Sequence, residues 1–313
     1  MIVGSPNLAA SGRREHAPAT FAATSARLRE SAETLSQRLP ALLVEADRVA
    51  ATVAPGIHGR RRTGMGETFW QFRAYQPGDA AAEIDWRQSA RSRGLFVREQ
   101  EWEAAESVWL WCDLSRSMSF RSGQGLPAKW ERAALLALAL ASLLVRGGER
   151  VARLGAGTRP AGGRFGLEQC ARCLAPAAAA REPMPPAAAL PRSARLVLIS
   201  DFLHPLASLS DRFRHFAASG CRASVLQLLD PAEELLPYDG RILFEGMEQE
   251  GAALIDNVGG VRARYVDLMR AHREAVAALC GRQGWRFAAH RTDKGAELAL
   301  LTLAGMLAPR AVR

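Results

Sequence analysis

The sequence predicts an α/β fold: a doubly wound, mostly parallel sheet of the Rossmann-like kind, with a small β-rich segment before it and an N-terminal helix. Three observations predict this. From residue 107 onward, short apolar runs alternate with helical patterns, as they do in parallel sheets connected by helices. Two of these runs end in aspartate, at Asp113 and Asp201, which is typical of ligand sites at the carboxyl ends of strands. With 313 residues and 48% hydrophobic content, the chain can bury a large core.

Residues 1–56 are predicted to form a loose terminus followed by a helix. The first 25 residues are rich in Ala, Ser, Gly and Pro, a composition typical of poorly ordered ends. Leucines then recur at helical spacing from about Ser25 to Val53. Pro40 is expected to interrupt or kink this helix, because proline cannot donate the backbone hydrogen bond of a helix interior.

Residues 57–105 are predicted to be a β-rich segment. The helical period ends at Pro55-Gly56, and glycines, arginines and aromatic residues follow. The aromatic residues are the expected anchors of short strands: Phe69, Phe72, Tyr75, Trp86 and Phe96. The charged residues of the segment, including Arg73 and Asp79, favour a buried ion-pair lattice that fixes irregular backbone, with partner binding as the alternative.

Residues 106–313 are predicted to form the α/β domain. The predicted strands are 107–113, 150–155, 195–201, 222–229, 241–246, 251–256 and 285–290, and the pair within 241–256 is expected to be antiparallel. The predicted helices are 128–146, 165–175, 206–219, 259–283 and 295–307. The longest apolar run, Ala133 to Val145, is shorter than the about 20 residues that span a membrane, so it is expected to be a core helix. Lys129 is one of the charged residues that flank this helix.

The segment SVWLWCDLSRSMSF, residues 107–120, is the strongest sign of a functional site. Its apolar part predicts a buried strand that ends at Asp113. Asp113 supplies an anionic oxygen, and Ser115 and Ser117 supply hydroxyl oxygens at alternate positions. Such oxygens suit Mg²⁺ or Mn²⁺. The alternative is that these residues only cap the loop, since Asp and Ser are favoured at turns and helix starts.

A second apolar run, Leu196 to Ser200, ends in Asp201. In an open parallel sheet the carboxyl ends of the strands meet at one edge, so both aspartates can lie in one crevice. The sequence therefore predicts a metal site made by Asp113, Ser115, Ser117 and Asp201.

Charge and cysteine usage limit the other functions. The net charge of +9 would suit nucleic acid, an anionic membrane surface or an acidic protein. We favour a generally basic surface, because the arginines are spread along the chain and cluster only at Arg60 to Arg62. Five cysteines, with a lone C-x-x-C at Cys170 and Cys173, favour a reducing cytoplasm over a disulfide framework or a zinc site. The first residues lack the pattern of a signal peptide.

Residues 64–118 closely resemble the signature of the domain of unknown function 58 family. In that family several short motifs in a fixed order precede a von Willebrand factor A type domain. The matching elements here are Gly64 and Gly66, Arg73 to Asp79, Ile84 to Trp86, Ser89 to Arg91, and Val97 to Glu99. The resemblance extends through Ser200-Asp201, Asp230-Pro231 and Thr292-Asp293, and covers roughly residues 57–300.

The resemblance implies a von Willebrand factor A type fold with a metal-ion-dependent adhesion site. Such a site binds a divalent cation, here Mg²⁺ or Mn²⁺, and through it an acidic residue of a partner. Asp113, Ser115 and Ser117 match the first metal loop of this site, and Asp201 matches its later aspartate.

One element departs from the wider pattern. The adhesion site usually adds a threonine from a middle loop, but residues 177–190 contain neither Thr nor Ser, and Thr158 follows a different strand. The cation is therefore expected to bind weakly, to hold a water in that position, or to be absent.

The favoured function is a non-enzymatic, metal-dependent protein-binding adaptor. The resemblance adds that such proteins are often encoded beside MoxR-family AAA-type ATPases, which implies a role in assembling or maturing protein complexes. The alternatives are nucleic-acid binding through Arg60 to Arg62 and the basic surface, and metal-dependent hydrolysis. Hydrolysis needs a positioned base, and no acidic pair or His-rich spacing supplies one. His204, close to Asp201, is expected to cap the loop or to lie exposed.

Overall fold

The computed structural model describes residues 44–45, 47–52, 63–76, 84–91, 94–101, 107–174, 183–192, 194–247 and 251–307. The chain divides into two compact units: a smaller one of residues 57–106, and a larger one of residues 1–56 and 107–313. The arginine cluster at Arg60 to Arg62, Asp79 of the expected ion-pair lattice, and the predicted terminus with the first part of its helix lie outside the described residues.

The smaller unit is built on a pair of antiparallel strands, β1 (Thr63–Ala74) and β2 (Phe96–Glu101). The short helix α2 (Trp86–Ser89) lies between them in the chain. The carboxylate of Asp85 accepts a hydrogen bond of 2.9 Å from the backbone N–H of Gln88, so Asp85 is the N-cap of this helix. Trp86 consequently begins a helix and is 65% exposed. The expectation that Trp86 anchors a strand was wrong, because the Asp85 cap starts a helix there.

The strands of the larger unit form one five-stranded sheet and one separate hairpin. They are β3 (Ser107–Cys112), β4 (Arg150–Arg153), β5 (Arg195–Ser200), β6 (Arg222–Leu229), β7 (Ile242–Glu245), β8 (Ala252–Ile255) and β9 (Arg286–Arg291). The sheet has the order β4-β3-β5-β6-β9, and all of its neighbouring strands are parallel. β7 and β8 form the antiparallel pair. The prediction of an α/β fold with a mostly parallel sheet is confirmed.

The helices of the larger unit follow the predicted order. They are α1 (helical residues 44–45 and 47–52), α3 (Lys129–Arg146), α4 (Gly163–Leu174), α5 (Leu206–Ala218), α6 (Pro231–Leu235), α7 (Val258–Arg282) and α8 (Ala296–Leu307). The five helices predicted for the domain are found within a few residues of their expected bounds, whereas the short α6 was not predicted. Among the described helices, none combines the length and apolar character needed to cross a membrane.

The sheet has a hydrophobic core on each face, because successive side chains of a strand point to opposite sides. Val197 and Ile199 of β5 belong to a core with residues of α1, α3, α4 and α8. Leu196 and Leu198 belong to a second core with residues of α5 and α7. Both faces of β5 are therefore covered, which explains why its sequence is an uninterrupted apolar run.

The central helix α3 is buried along most of its length, as its Ala and Leu composition predicts. Glu131 accepts a hydrogen bond of 2.9 Å from the backbone N–H of Ala128 and so closes its first turn. Val49 and Ala50 of α1 pack into the same core. Asp47 of α1 accepts a hydrogen bond of 2.8 Å from Ser142 of α3. These contacts attach α1 to the α/β unit.

His290 of β9 makes the stability of the protein pH-dependent. Burial, together with the charge of Arg132, lowers the pKa of His290 to about 4 from the ordinary value of 6.5. The unfolded chain takes up the proton near pH 6.5 and the folded chain only near pH 4, so stability is lost as the pH falls between these values. The expected loss is about 3 kcal/mol.

Urea unfolding at pH 7.5 and pH 4.5, on the wild type and on His290→Gln, measures this effect. The variant is expected to lose about 3 kcal/mol less than the wild type over this range. His215→Gln, which removes an exposed imidazole from α5, serves as the control and is expected to follow the wild type. Equal losses in wild type and His290→Gln would contradict the assignment.

Candidate functional site

The four predicted site residues lie at the carboxyl edge of two adjacent parallel strands. Asp113 directly follows β3, and Asp201 directly follows β5. The register pairs Cys112 with Ile199, and the backbone N–H of Asp113 donates to the carbonyl of Ile199 at 2.9 Å. The two strands therefore end side by side and bring their two aspartates to the same edge.

Asp113 is fully buried and is held by hydrogen bonds to both carboxylate oxygens. Its Oδ1 accepts from the backbone N–H of Ser115 at 2.8 Å, and its Oδ2 accepts from the hydroxyl of Ser200 at 2.7 Å. The first contact closes a turn of the loop after β3, and the second connects this loop to the end of β5. Asp113 therefore caps the loop, as the alternative to metal binding predicted, and it also lies at the same edge as Asp201.

The two loop serines connect the first aspartate loop to the second. The hydroxyls of Ser115 and Ser117 are 3.2 Å apart, and Ser117 Oγ donates to Asp201 Oδ2 at 3.0 Å. Asp201 is buried, whereas Ser117 is only half-buried. All four predicted residues therefore belong to one connected set of oxygens, and Ser117 gives this set an accessible side.

Lys129 is one residue of this region that the sequence interpretation missed. It was expected among the charged residues flanking the core helix, yet its side chain is 0% exposed. Its ammonium group donates to Asp201 Oδ2 at 2.8 Å and to Glu233 Oε1 at 2.5 Å. A buried ammonium group is stable only when it is paired with carboxylates. Lys129 thus contributes a fixed positive charge to the site.

The composition of the chain contained a signal for Lys129. Only two of the 41 basic residues are lysines, Lys129 and Lys294. An ammonium group is a compact point charge that fits between two carboxylates, whereas the planar guanidinium of arginine requires more room. A rare lysine at the start of an apolar helix, in a chain rich in arginine, is therefore a candidate for a buried ion pair.

Glu233 is fixed by hydrogen bonds to both its side chain and its backbone. Its Oε2 accepts from the backbone N–H of Asp230 at 2.9 Å, and the Asp230 carboxylate accepts from the backbone N–H of Ala232 at 2.8 Å. The side chains of Asp230 and Glu233 also form the capping box of α6, in which each accepts from the backbone N–H of the other residue. The hydroxyl of Tyr265 on α7 donates to the backbone carbonyl of Glu233 at 2.8 Å. Glu233 therefore presents its remaining carboxylate oxygen to Lys129 from a rigid position.

The charges in this cluster act on each other strongly. Burial, together with the negative charge of Asp201, raises the pKa of Asp113 to about 7. Burial alone would also raise the pKa of Asp201, but the ammonium group of Lys129 outweighs it and holds that pKa below its usual range. Burial opposes the charge of Lys129, but Asp201 and Glu233 outweigh it and raise the pKa of Lys129 above its usual range. Lys129 is therefore charged at neutral pH.

The loop after β5 has an unusual backbone conformation at Phe202, directly after Asp201. Phe202 has a φ of 49°, in the left-handed region that few residues other than glycine adopt. Its N–H donates to Ser200 Oγ at 3.1 Å, and its carbonyl lies 2.7 Å from Nε2 of His272 on α7. Its buried ring packs edge-on against Phe213 of α5. These contacts hold the turn that aims Asp201 at the serines.

The donor set fits a hard divalent cation. It consists of two carboxylates and two hydroxyls, all of them oxygen ligands of the kind that Mg²⁺ and Mn²⁺ prefer. Among the described residues no three His, Cys, Asp or Glu side chains are grouped as metal ligands, so the serines and water would have to complete the coordination of any cation held here. A divalent cation between Asp113 and Asp201 would favour the ionised form of both carboxylates.

Other candidates from the sequence make no hydrogen bond to this set among the described residues. The hydroxyl of Thr158 is buried and has no hydrogen-bond partner among the described residues. Both ring nitrogens of His204 are likewise buried without such a partner in the described part of the chain, so His204 is neither a cap nor freely exposed. Cys170 is a buried free thiol on α4, and the side chain of Cys173 lies outside the described residues.

The fold and the site define an α/β protein whose oxygen-rich candidate cation site lies at the carboxyl edge of a parallel sheet. Residues 71–275 match the family described as "Protein of unknown function DUF58", and the chain belongs to this family.

Its relatives include the uncharacterized protein Rv1480 of Mycobacterium tuberculosis and the uncharacterized protein Mb1516 of Mycobacterium bovis. Each is 29% identical in a 259-residue alignment that covers 77% of this chain and 80% of the relative.

Two crystal structures from Bacteroides have some similarity to this fold. One is the conserved hypothetical protein BatB of Bacteroides thetaiotaomicron, with 14% identity, a TM-score of 0.38, and coverage of 64% of this chain and 98% of that chain. The other is an aerotolerance-related membrane protein of Bacteroides fragilis, with 16% identity, a TM-score of 0.38, and coverage of 65% and 100%. These TM-scores are too low to support a shared function.

Proposed function

We propose that this protein is a non-enzymatic adaptor with a von Willebrand factor A type fold, whose metal-ion-dependent adhesion site binds a partner through Mg²⁺ or Mn²⁺. The partner supplies an acidic residue to the cation. The observation that carries this proposal is the hydrogen-bonded series from Ser115 through Ser117 to Asp201, next to the buried Asp113.

The strand order supports the proposed fold. The loops after β3 and β5 supply the proposed ligands, and these two strands are neighbours in the sheet. A cation that is held by oxygens on its protein side and by water on its accessible side can exchange one water for a carboxylate of another protein. The half-buried Ser117 marks the side from which this carboxylate would approach.

The chemistry favours binding over catalysis. Metal-assisted hydrolysis requires a group that takes a proton from the attacking water. The buried Asp201 and Glu233 are instead engaged by the ammonium group of Lys129. Both hydrogen-bonded oxygens of Asp113 are directed at groups of its own loop and of Ser200. The carboxylates of the site thus accept hydrogen bonds from the protein and offer oxygens to a cation, and none of them is placed as a base.

Calorimetric titration with Mg²⁺ and Mn²⁺ tests the cation site. The wild type is expected to bind, and Asp113→Asn is expected to bind at least about tenfold more weakly, because it loses one of two anionic ligands. Ser117→Ala is expected to weaken binding as well. Ser119→Ala is the matched control, since Ser119 is the next serine of the same alternating series and is exposed. Circular dichroism shows whether each variant is folded. Unchanged affinity in Asp113→Asn would contradict this site.

Binding to a MoxR-family AAA-type ATPase tests the adaptor role, because the family resemblance implies such a partner. The ATPase encoded nearest to the gene of this protein is immobilised without nucleotide, and binding is measured with Mn²⁺ and with EDTA. Removing the cation and introducing Ser117→Ala are each expected to weaken binding at least about tenfold. Ser119→Ala is expected to bind like the wild type. Equal binding with Mn²⁺ and EDTA would contradict a metal-dependent contact.

A further inference from the structure

Two positively charged groups would compete for one carboxylate in this site. Asp201 Oδ2 faces the hydroxyl of Ser117 at 3.0 Å, and the same oxygen accepts a hydrogen bond from the ammonium group of Lys129 at 2.8 Å. We propose that Lys129 is a tethered cation that competes with the divalent cation for Asp201, and that Glu233 retains the ammonium group when the divalent cation binds. This inference rests on the proposed cation site.

The burial of Lys129 supports this competition. Its side chain is 0% exposed, and the two carboxylates that it contacts are also buried. The ammonium group therefore cannot move into water when a second cation arrives. Charges of the same sign that meet near one carboxylate in a poorly screened interior repel each other strongly. Each divalent cation that binds Asp201 must overcome this repulsion or displace the ammonium group from Oδ2.

Glu233 offers the ammonium group a second place without a large movement. Its Oε1 already lies 2.5 Å from Lys129 Nζ, and its other oxygen is fixed by the N–H of Asp230. A small rotation of the lysine side chain can break the contact with Asp201 and keep the contact with Glu233. The affinity of the site for divalent cations thus depends on how strongly the ammonium group prefers Asp201 over Glu233.

The experiment removes the competing charge without changing the net charge of the cluster. Lys129→Met combined with Glu233→Gln eliminates one positive and one negative charge and leaves Asp113, Ser115, Ser117 and Asp201 intact. Calorimetric titration with Mn²⁺ is expected to show at least about tenfold tighter binding to this double variant than to the wild type. If Lys129 instead positions Asp201 for the cation, the double variant binds more weakly, and the proposal is overturned.

A single variant is expected to change the Mn²⁺ affinity in the opposite direction. Glu233→Gln leaves the ammonium group with Asp201 as its only anionic partner, so Mn²⁺ is expected to bind at least about threefold more weakly. Glu234→Gln is the matched control, because it removes a carboxylate from the adjacent position of α6 that pairs with Arg273 and Arg291 instead. Its affinity is expected to stay close to that of the wild type. Thermal unfolding with EDTA shows independently whether each variant is folded.

The outcomes separate this inference from the proposed function. If the wild type binds Mn²⁺ and the double variant binds no more tightly, the competition is disproved and the adhesion site stands. If neither binds, both are disproved. If only the double variant binds, the competition is supported, and the metal dependence proposed for the wild-type protein fails.

A structure of the wild type with Mn²⁺ tests the inference even if the double variant does not fold. The ammonium group is expected to leave Asp201 Oδ2 and to remain within hydrogen-bond distance of Glu233 Oε1. An ammonium group that still contacts Asp201 Oδ2 while Mn²⁺ is bound to the same carboxylate overturns the proposal.

Discussion

Replacing Lys129 by methionine is expected to lower the free energy of unfolding of the metal-free protein by about 3–5 kcal/mol. The substitution leaves Asp201 and Glu233 buried at 1% and 2% exposure without the ammonium group that both of them contact. Breaking a buried ion pair by removing one partner costs more than the pair itself contributes, because an uncompensated charge remains in the interior. Urea unfolding in EDTA measures the change.

Lys294→Met is the matched control for this experiment. Lys294 is the other lysine of the chain, its side chain is 60% exposed, and its contact with Asp293 is a surface pair of 3.9 Å. Its replacement is expected to change stability by less than about 0.5 kcal/mol. Adding Glu233→Gln to Lys129→Met is expected to recover about 1 kcal/mol or more, since one buried charge disappears. A loss below about 1 kcal/mol in Lys129→Met would contradict the buried ion pair.

Phe213→Ala is expected to lower the free energy of unfolding by about 3–5 kcal/mol. Phe213 is 1% exposed, and its ring packs between Phe202, at a centroid distance of 6.1 Å, and Trp285, at 5.3 Å. Truncation leaves a cavity under the turn that follows Asp201. Phe165→Ala is the control, because Phe165 is 61% exposed and its loss is expected to cost less than about 0.5 kcal/mol. Similar costs for the two substitutions would contradict the packing of this turn.

Much of the fold was predictable because the relevant signals are local. The strands of the parallel sheet are covered on both faces, so they read as continuous apolar runs, as Leu196 to Ile199 does. The core helix α3 reads as an Ala and Leu run that ends before Gly147. The position of Trp86 was not predictable from its aromatic character, because the Asp85 cap, a contact between backbone and side chain, decides the local structure there.

The site was predictable only in the part that follows strand ends. Asp113 and Asp201 each come directly after an apolar run, so the parallel arrangement alone places them together. Glu233 could not be found in this way, since it belongs to a five-residue helix with no periodic pattern and approaches Lys129 from 104 residues away in the chain. Pairings of this kind depend on tertiary packing, which spacing along the sequence does not encode.

The strand order of the sheet has a consequence for how changes in the loops would act on the proposed site. β3 and β5 are neighbours in the sheet. The strand that follows β3 in the chain, β4, lies on the outer side of β3, and the strand that follows β5, β6, lies on the opposite side of the pair. Beyond the hydrogen-bonded start of the two loops, the chain leads from β3 to helix α3 and from β5 to helix α5, which pack in the cores on opposite faces. In open α/β sheets, ligands bind at a topological switch point of this kind. In the proposed adaptor, loop residues at this point would set the choice of partner, while the strands that hold the aspartates stay the same.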